Sequence, residues 1–208
     1  MEALDERPGE NAGGLRRGLQ VLRLSVTADY SPAMRNSLFP DDVRPVQLHR
    51  DDGPLTAAVE RCKQRGWAVA ELDASRWTQA DGQLNDGRLD DDQLHDDLAA
   101  ALWFPEHYGR NLDALVDQLG ELPRSTDPRL ADATGLVIVV RGVDHLLNAD
   151  VRRGVSLLEI LTEAALGALR FGWPVAVVLQ AEEPVKIPPL APTTVEWNRS
   201  ERRRPNQA

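Results

Sequence analysis

Two runs of five apolar residues, Leu136–Val140 (LVIVV) and Val175–Leu179 (VAVVL), constrain the fold of this chain more than any other feature. Neither run alternates with polar residues, so each strand has to be covered by protein on both faces, as the inner strands of a parallel sheet are. Between them, Leu158, Leu161, Ala165 and Leu169 recur at helical spacing within Val155–Leu169, after a shorter helix begun at Val143–Leu147. Gly172 and Pro174 then punctuate the return to the second strand. Strand, helix, strand in that order makes a parallel crossover unit. A third strand is expected at Trp67–Leu72 (WAVAEL).

The flanking elements follow the same logic. Leu55, Ala58, Val59 and Cys62 mark a helix over about 55–65, with Gly66 as its stop. Asp90–Asp92 precede Leu94, Leu98, Ala101 and Leu102, an acid-capped amphipathic helix over about 91–102. Asn111 is placed to cap a helix over about 112–121, with Leu112, Leu115, Val116 and Leu119 facing inward and Pro123 closing it. The expected fold is α/β: a three-layer α/β/α sandwich around a small three-stranded parallel sheet. A chain of 208 residues suits one such domain with extensions. Residues 54–180 are read as that domain. Residues 1–53 form a partly flexible N-terminal extension whose one alternating stretch, Leu19–Val26, suits a strand. Residues 181–208 form a Pro-rich, basic and flexible tail.

Charge narrows the partner. The formal net charge is −9, and Trp67–Asp127 holds fourteen acidic residues against four basic ones, enough to account for the whole excess. Such a surface repels phosphate, so nucleic acid is not the expected direct partner and a basic protein is. Asp90–Asp92, Asp96 and Asp97 read as the solvated acidic face of a surface helix. No apolar run approaches the length of a bilayer span, and the acidic N-terminus MEALDERPGENAGG has no apolar segment after a basic start. The single Cys62 suits a reducing compartment, and a cytoplasmic, monomeric protein is expected. His49, His95 and His145 lack metal-ligand spacing and are assigned to surface or capping positions, with no metal or other cofactor expected.

The chemistry-bearing segment is Phe104–Leu119, FPEHYGRNLDALVDQL. Asp113 and Asp117 stand four residues apart and share one helix face, behind a loop that Gly109 allows to turn sharply. The run Tyr108, Gly109, Arg110, Asn111, Leu112, Asp113, Ala114, Leu115 follows a Pro105–Glu106 pair and precedes an acid at 117. With its place between the first and second strands, it resembles the barstar family of intracellular inhibitors of barnase-type microbial ribonucleases. The resemblance covers about Trp67–Gln180 and implies a loop and helix that plug the ribonuclease active site.

On that resemblance, Asp117 is the residue aimed at the cationic pocket, Asp113 its partner one turn earlier, and Gly109 and Asn111 shape the loop. His107 and Val116 stand where family members usually carry aromatics, so partner choice is expected to differ there. Glu163, on the last long helix, is the candidate for a further acidic contact. Independently of the resemblance, a rigid carboxylate pair is the complement of a cleft that gathers Arg, Lys and His around a phosphate. Two other readings stand beside it. One is a barstar-like regulatory binding module that inhibits no nuclease. The other is a metal-dependent or acid/base hydrolase using His107, Asp113, Asp117 and Glu163, against which the sequence has no Gly-rich phosphate loop, no HExxH and no Gly-x-Ser-x-Gly.

Overall fold

Four parallel strands form the sheet: β1 (Val46–His49), β2 (Ala68–Asp73), β3 (Leu136–Arg141) and β4 (Val175–Gln180), in the order β1-β4-β3-β2. They are seen in a computed structural model that describes residues 38–40, 43–78, 89–188 and 190. The strand expected at Leu19–Val26 and the tail from 191 onward lie outside the described residues. Register is continuous across the sheet, with Val46 opposite Val177, Ile138 opposite both Val177 and Ala70, and Leu72 opposite Val140.

The sheet therefore has one strand more than the sequence predicts. β1 escapes the sequence reading because it is only four residues long and alternates Val46 and Leu48 with Gln47 and His49. Read alone it alternates as a half-exposed strand would, yet all four residues are buried. It lies at the sheet edge, paired along β4, with the His49 carbonyl accepting from Ala181 N–H at 3.0 Å.

Helix α1 (Asp52–Gln64) packs across all four strands on one face, burying Leu55, Ala58, Val59 and Cys62. Its end is set by Gly66 at φ 78, where the Gly66 and Trp67 N–H groups return to the Lys63 and Cys62 carbonyls. The other face holds the larger core. Alternate strand residues such as Leu48, Leu72, Ile138, Val140, Val177 and Leu179 meet α2 (Asp91–Ala101), α3 (Leu112–Glu121), α5 (Val143–Ala149) and α6 (Val151–Ala168) there. A one-turn helix, α4 (Pro128–Ala131), precedes β3. Helix starts follow capping chemistry: the side chains of Asp90, Asn111 and Asp150 accept from the backbone N–H of Gln93, Ala114 and Arg153.

Leu115 and Leu119 fix α3 in this core, joined by Leu158, Leu161 and Ala165 of α6, against which α3 packs. Each leucine fully removed from water contributes roughly 1.5–3 kcal/mol. Burial of those two residues turns the opposite side of α3 outward.

Candidate functional site

The loop from Leu102 to Asn111 joins α2 to α3, and α2 holds it from behind. Tyr108 is buried, 7% exposed, with its hydroxyl 2.7 Å from His95 Nδ1 and its ring tilted against Phe104 at 5.0 Å between centroids. The Tyr108 N–H donates to the Pro105 carbonyl at 2.9 Å, folding 105–108 into a turn. Burial pushes the Tyr108 phenol up to about 12, against the opposing pull of Arg110. Burial likewise lowers His95, with Asp91 and Asp92 working to raise it and Arg153 and Arg110 to lower it. Both groups of this hydrogen-bonded pair are held neutral.

His95 is thus not the surface or capping residue expected from the sequence, and neither is His49, which is fully buried; His145 is exposed as expected. His95 stands at i, i+3, i+7 spacing with Leu98 and Leu102, on the inward side of α2. A polar ring is accommodated there because Tyr108 satisfies it.

Asn111 closes the loop in two directions. Its Oδ1 accepts from Ala114 N–H at 2.8 Å and its Nδ2 donates to the Gly109 carbonyl at 2.9 Å. The left-handed residue of this turn is Arg110, φ 50, and not Gly109. Gly109 is fitted instead by space, since a Cβ there would lie 3.1 Å from the Ala114 Cβ. The left-handed backbone costs Arg110 roughly 1–2 kcal/mol. Its guanidinium turns back onto α2, ion-paired with Asp96 and donating to the Asp92 carbonyl at 3.3 Å.

The outward surface consists of Glu106, His107, Gly109, Arg110, Asn111, Asp113, Val116 and Asp117, all exposed. Val116 corrects the sequence expectation: it faces solvent, 38% exposed, because Leu115 and Leu119 already fill the inward stripe. An apolar side chain therefore sits between two carboxylates on the open face of α3.

The acidic segment divides into two classes. On α2 three carboxylates are engaged within the fold, Asp91 with Arg153 at 2.6 Å, Asp96 with Arg110, and Asp97 with Trp77 Nε1 at 3.0 Å, Gln93 at 2.8 Å and Arg76 at 3.5 Å, while Asp92 is exposed. The expected solvated face is in large part an internal network. Among the described residues, the side chains of Glu106, His107, Asp113, Asp117 and Glu163 have no hydrogen-bond or ion-pair partner. The exposed carboxylates among them are uncommitted.

Glu163 is exposed on α6, the helix against which α3 packs, and its carboxyl is raised by partial burial and by the nearby Glu159. No ion pair or hydrogen bond links it to the loop or to α3 among the described residues. On the far side of the loop, an open groove of about 520 Å³ runs between Trp103–Glu106 and Gln118–Arg129. Among the described residues no group of three or more His, Cys, Asp or Glu side chains is placed to hold a metal ion.

These features define a mixed α/β domain on a parallel sheet, with a loop and helix presented outward from it. Residues 84–180 match the family model described as Barstar (barnase inhibitor), a match that supports a barstar-like assignment for this part of the chain. The match takes in α2, the loop, α3, β3, α5, α6 and β4, whereas β1, α1 and β2 precede it. No curated protein matches the chain. A solved structure described as Drosophila ORC bound to DNA is similar at a TM-score of 0.45 and 18% identity, over 77% of this chain and 39% of that one. So loose a likeness carries nothing about fold or function.

Proposed function

We propose that the protein is an inhibitor of a barnase-type microbial ribonuclease, acting in the cytoplasm without catalysis of its own and without a cofactor. The loop Phe104–Asn111 and helix α3 block the cationic active site. Asp117 takes the place of the RNA phosphate, Asp113 pairs with a second cation, and His107, Gly109, Asn111 and Val116 form the surrounding contact. Glu163 supplies a further acidic contact from α6. The inhibitory domain spans 54–180, with β1 completing its sheet.

One observation carries this reading: Asp113 and Asp117 are exposed one helical turn apart with no partner inside the fold, while Asp91, Asp96 and Asp97 of α2 are paired internally. A carboxylate pair left unpaired on a rigid helix is pre-organised for an external cation. The match of residues 84–180 to the barstar model supports a ribonuclease as the class of partner.

The test is titration of barnase activity with the purified protein. Stoichiometric inhibition is expected, with Asp117→Ala weakening binding by about 3–5 kcal/mol, the cost of stranding a buried cation without its partner. Asp113→Ala should lose about 1.5–3 kcal/mol. Full ribonuclease activity across a panel of barnase-like enzymes at excess protein would overturn the proposal and favour a regulatory binding module.

A further inference from the structure

We propose that helix α2 is a positioning element: Asp96 clamps Arg110, holding the loop in its binding conformation and withdrawing the Arg110 charge from the acidic surface.

Three observations converge on this. Arg110 has a positive φ without being glycine, asparagine or aspartate, a conformation that persists only where surrounding contacts impose it. Its guanidinium is engaged at two points on α2, the Asp96 carboxylate and the Asp92 carbonyl. Two residues away, Tyr108 is tied to His95 of the same helix at 2.7 Å. The loop is therefore fastened to one helix on both sides of Gly109, and the outward row from Glu106 to Asp117 takes its shape from those anchors.

The charge geometry has its own consequence. Arg110 lies in the chain between Glu106 and the Asp113/Asp117 pair, the one cation of that stretch. Released, it would swing among those carboxylates and oppose a cationic partner. Paired with Asp96, its charge is balanced on the side of α2. The effect on binding rests on reading this surface as the inhibitory one, whereas the effect on the loop does not.

The test compares Asp96→Asn with Asp132→Asn. Asp132 is an exposed carboxylate on the loop before β3 with no described partner, and its loss changes net charge equally. Both Asp96 and Arg110 side chains are about half exposed, so the fold should survive. Amide hydrogen exchange on the free protein is read first. Asp96→Asn should speed exchange at Tyr108–Ala114 by up to about fivefold, the range open to an exposed ion pair, with β3 and β4 unchanged. Asp132→Asn should leave the loop at wild-type rates.

Unchanged loop exchange in Asp96→Asn, or equal acceleration in both variants, overturns the clamp. Association with barnase is read second, with Asp96→Asn slowing it several-fold more than Asp132→Asn. Equal slowing overturns the charge withdrawal. If the wild-type protein does not bind barnase at all, the inhibitor reading fails for that enzyme, and the exchange data still decide the clamp.

Discussion

Tyr108 and His95 couple the loop to the core through one buried hydrogen bond, so either residue can be used to measure that coupling. Tyr108→Phe keeps the ring packed on Phe104 and strands a nitrogen of His95 without a partner. A loss of about 1–3 kcal/mol in stability is expected, read by chemical denaturation. The pH profile should carry both groups. His95 is lowered from 6.5, so its share of stability is present above about pH 6.5 and is lost as the pH falls toward its lower native value. Tyr108 is raised from 10.0 to about 12, so its share is present below pH 10 and is lost as the pH rises from 10 to 12. Stability that stays flat as the pH falls below 6.5 in the wild type, with no difference from His95→Gln, would sink the His95 part. The motif made Tyr108 visible in the sequence but not the direction of its ring. His95 was readable from its spacing with Leu98 and Leu102; assigning it by residue type hid an inward position that the helical period gives. Glycine likewise drew attention at 109, while the left-handed backbone belongs to Arg110, held by contacts distant in sequence.

At the scale of elements, α3 depends on its cap. Asn111 starts the helix, and the same side chain ties back to the loop, so one residue controls where the helix begins and how the loop enters it. Asn111→Ala should cost about 1 kcal/mol and lower Tm by roughly 2–4 °C. It should also weaken binding of barnase by more than does Asp127→Ala, which removes the cap of α4, outside the loop Phe104–Asn111 and α3. Equal binding by the two variants would separate the cap from the contact surface. The helices were legible because their signals are local: Asn111, Asp90 and Gly66 mark boundaries that the structure places within a few residues of expectation. β3 and β4 were legible because inner parallel strands are apolar throughout. β1 was not, since its burial of Gln47 and His49 is conferred by α1 and the neighbouring strand and leaves no periodic trace in four residues. Val116 failed for the opposite reason: an apolar residue beside Leu115 suggests an inward stripe, and only the packing of α3 on α6 shows that 115 and 119 fill it.

Over the molecule as a whole, net charge is a poor guide to the field a partner meets. A carboxylate paired with a guanidinium presents a dipole that falls off steeply, while an uncommitted carboxylate presents a monopole that ions screen over about 10 Å at 0.1 M salt and about 3 Å at 1 M. Asp91, Asp96, Asp97 and Asp127 belong to the first kind, Glu106, Asp113, Asp117 and Glu163 to the second. Steering of a cationic ribonuclease should accordingly come from the loop, α3 and the open side of α6. Association with barnase, followed by stopped flow, should slow by at least tenfold between low and high salt while dissociation changes little, as expected where charge acts on the encounter more than on the docked complex. Asp127→Asn removes the same formal charge as Glu106→Gln, yet Asp127 is joined to Arg129 at 2.7 Å and its carboxyl is held down at about 2 mainly by that side-chain hydrogen bond. Glu106→Gln should therefore slow association and flatten its salt dependence, and Asp127→Asn should do neither to the same degree. If the two substitutions act alike, total charge and not its distribution governs capture, and the division of the acidic segment loses its functional meaning.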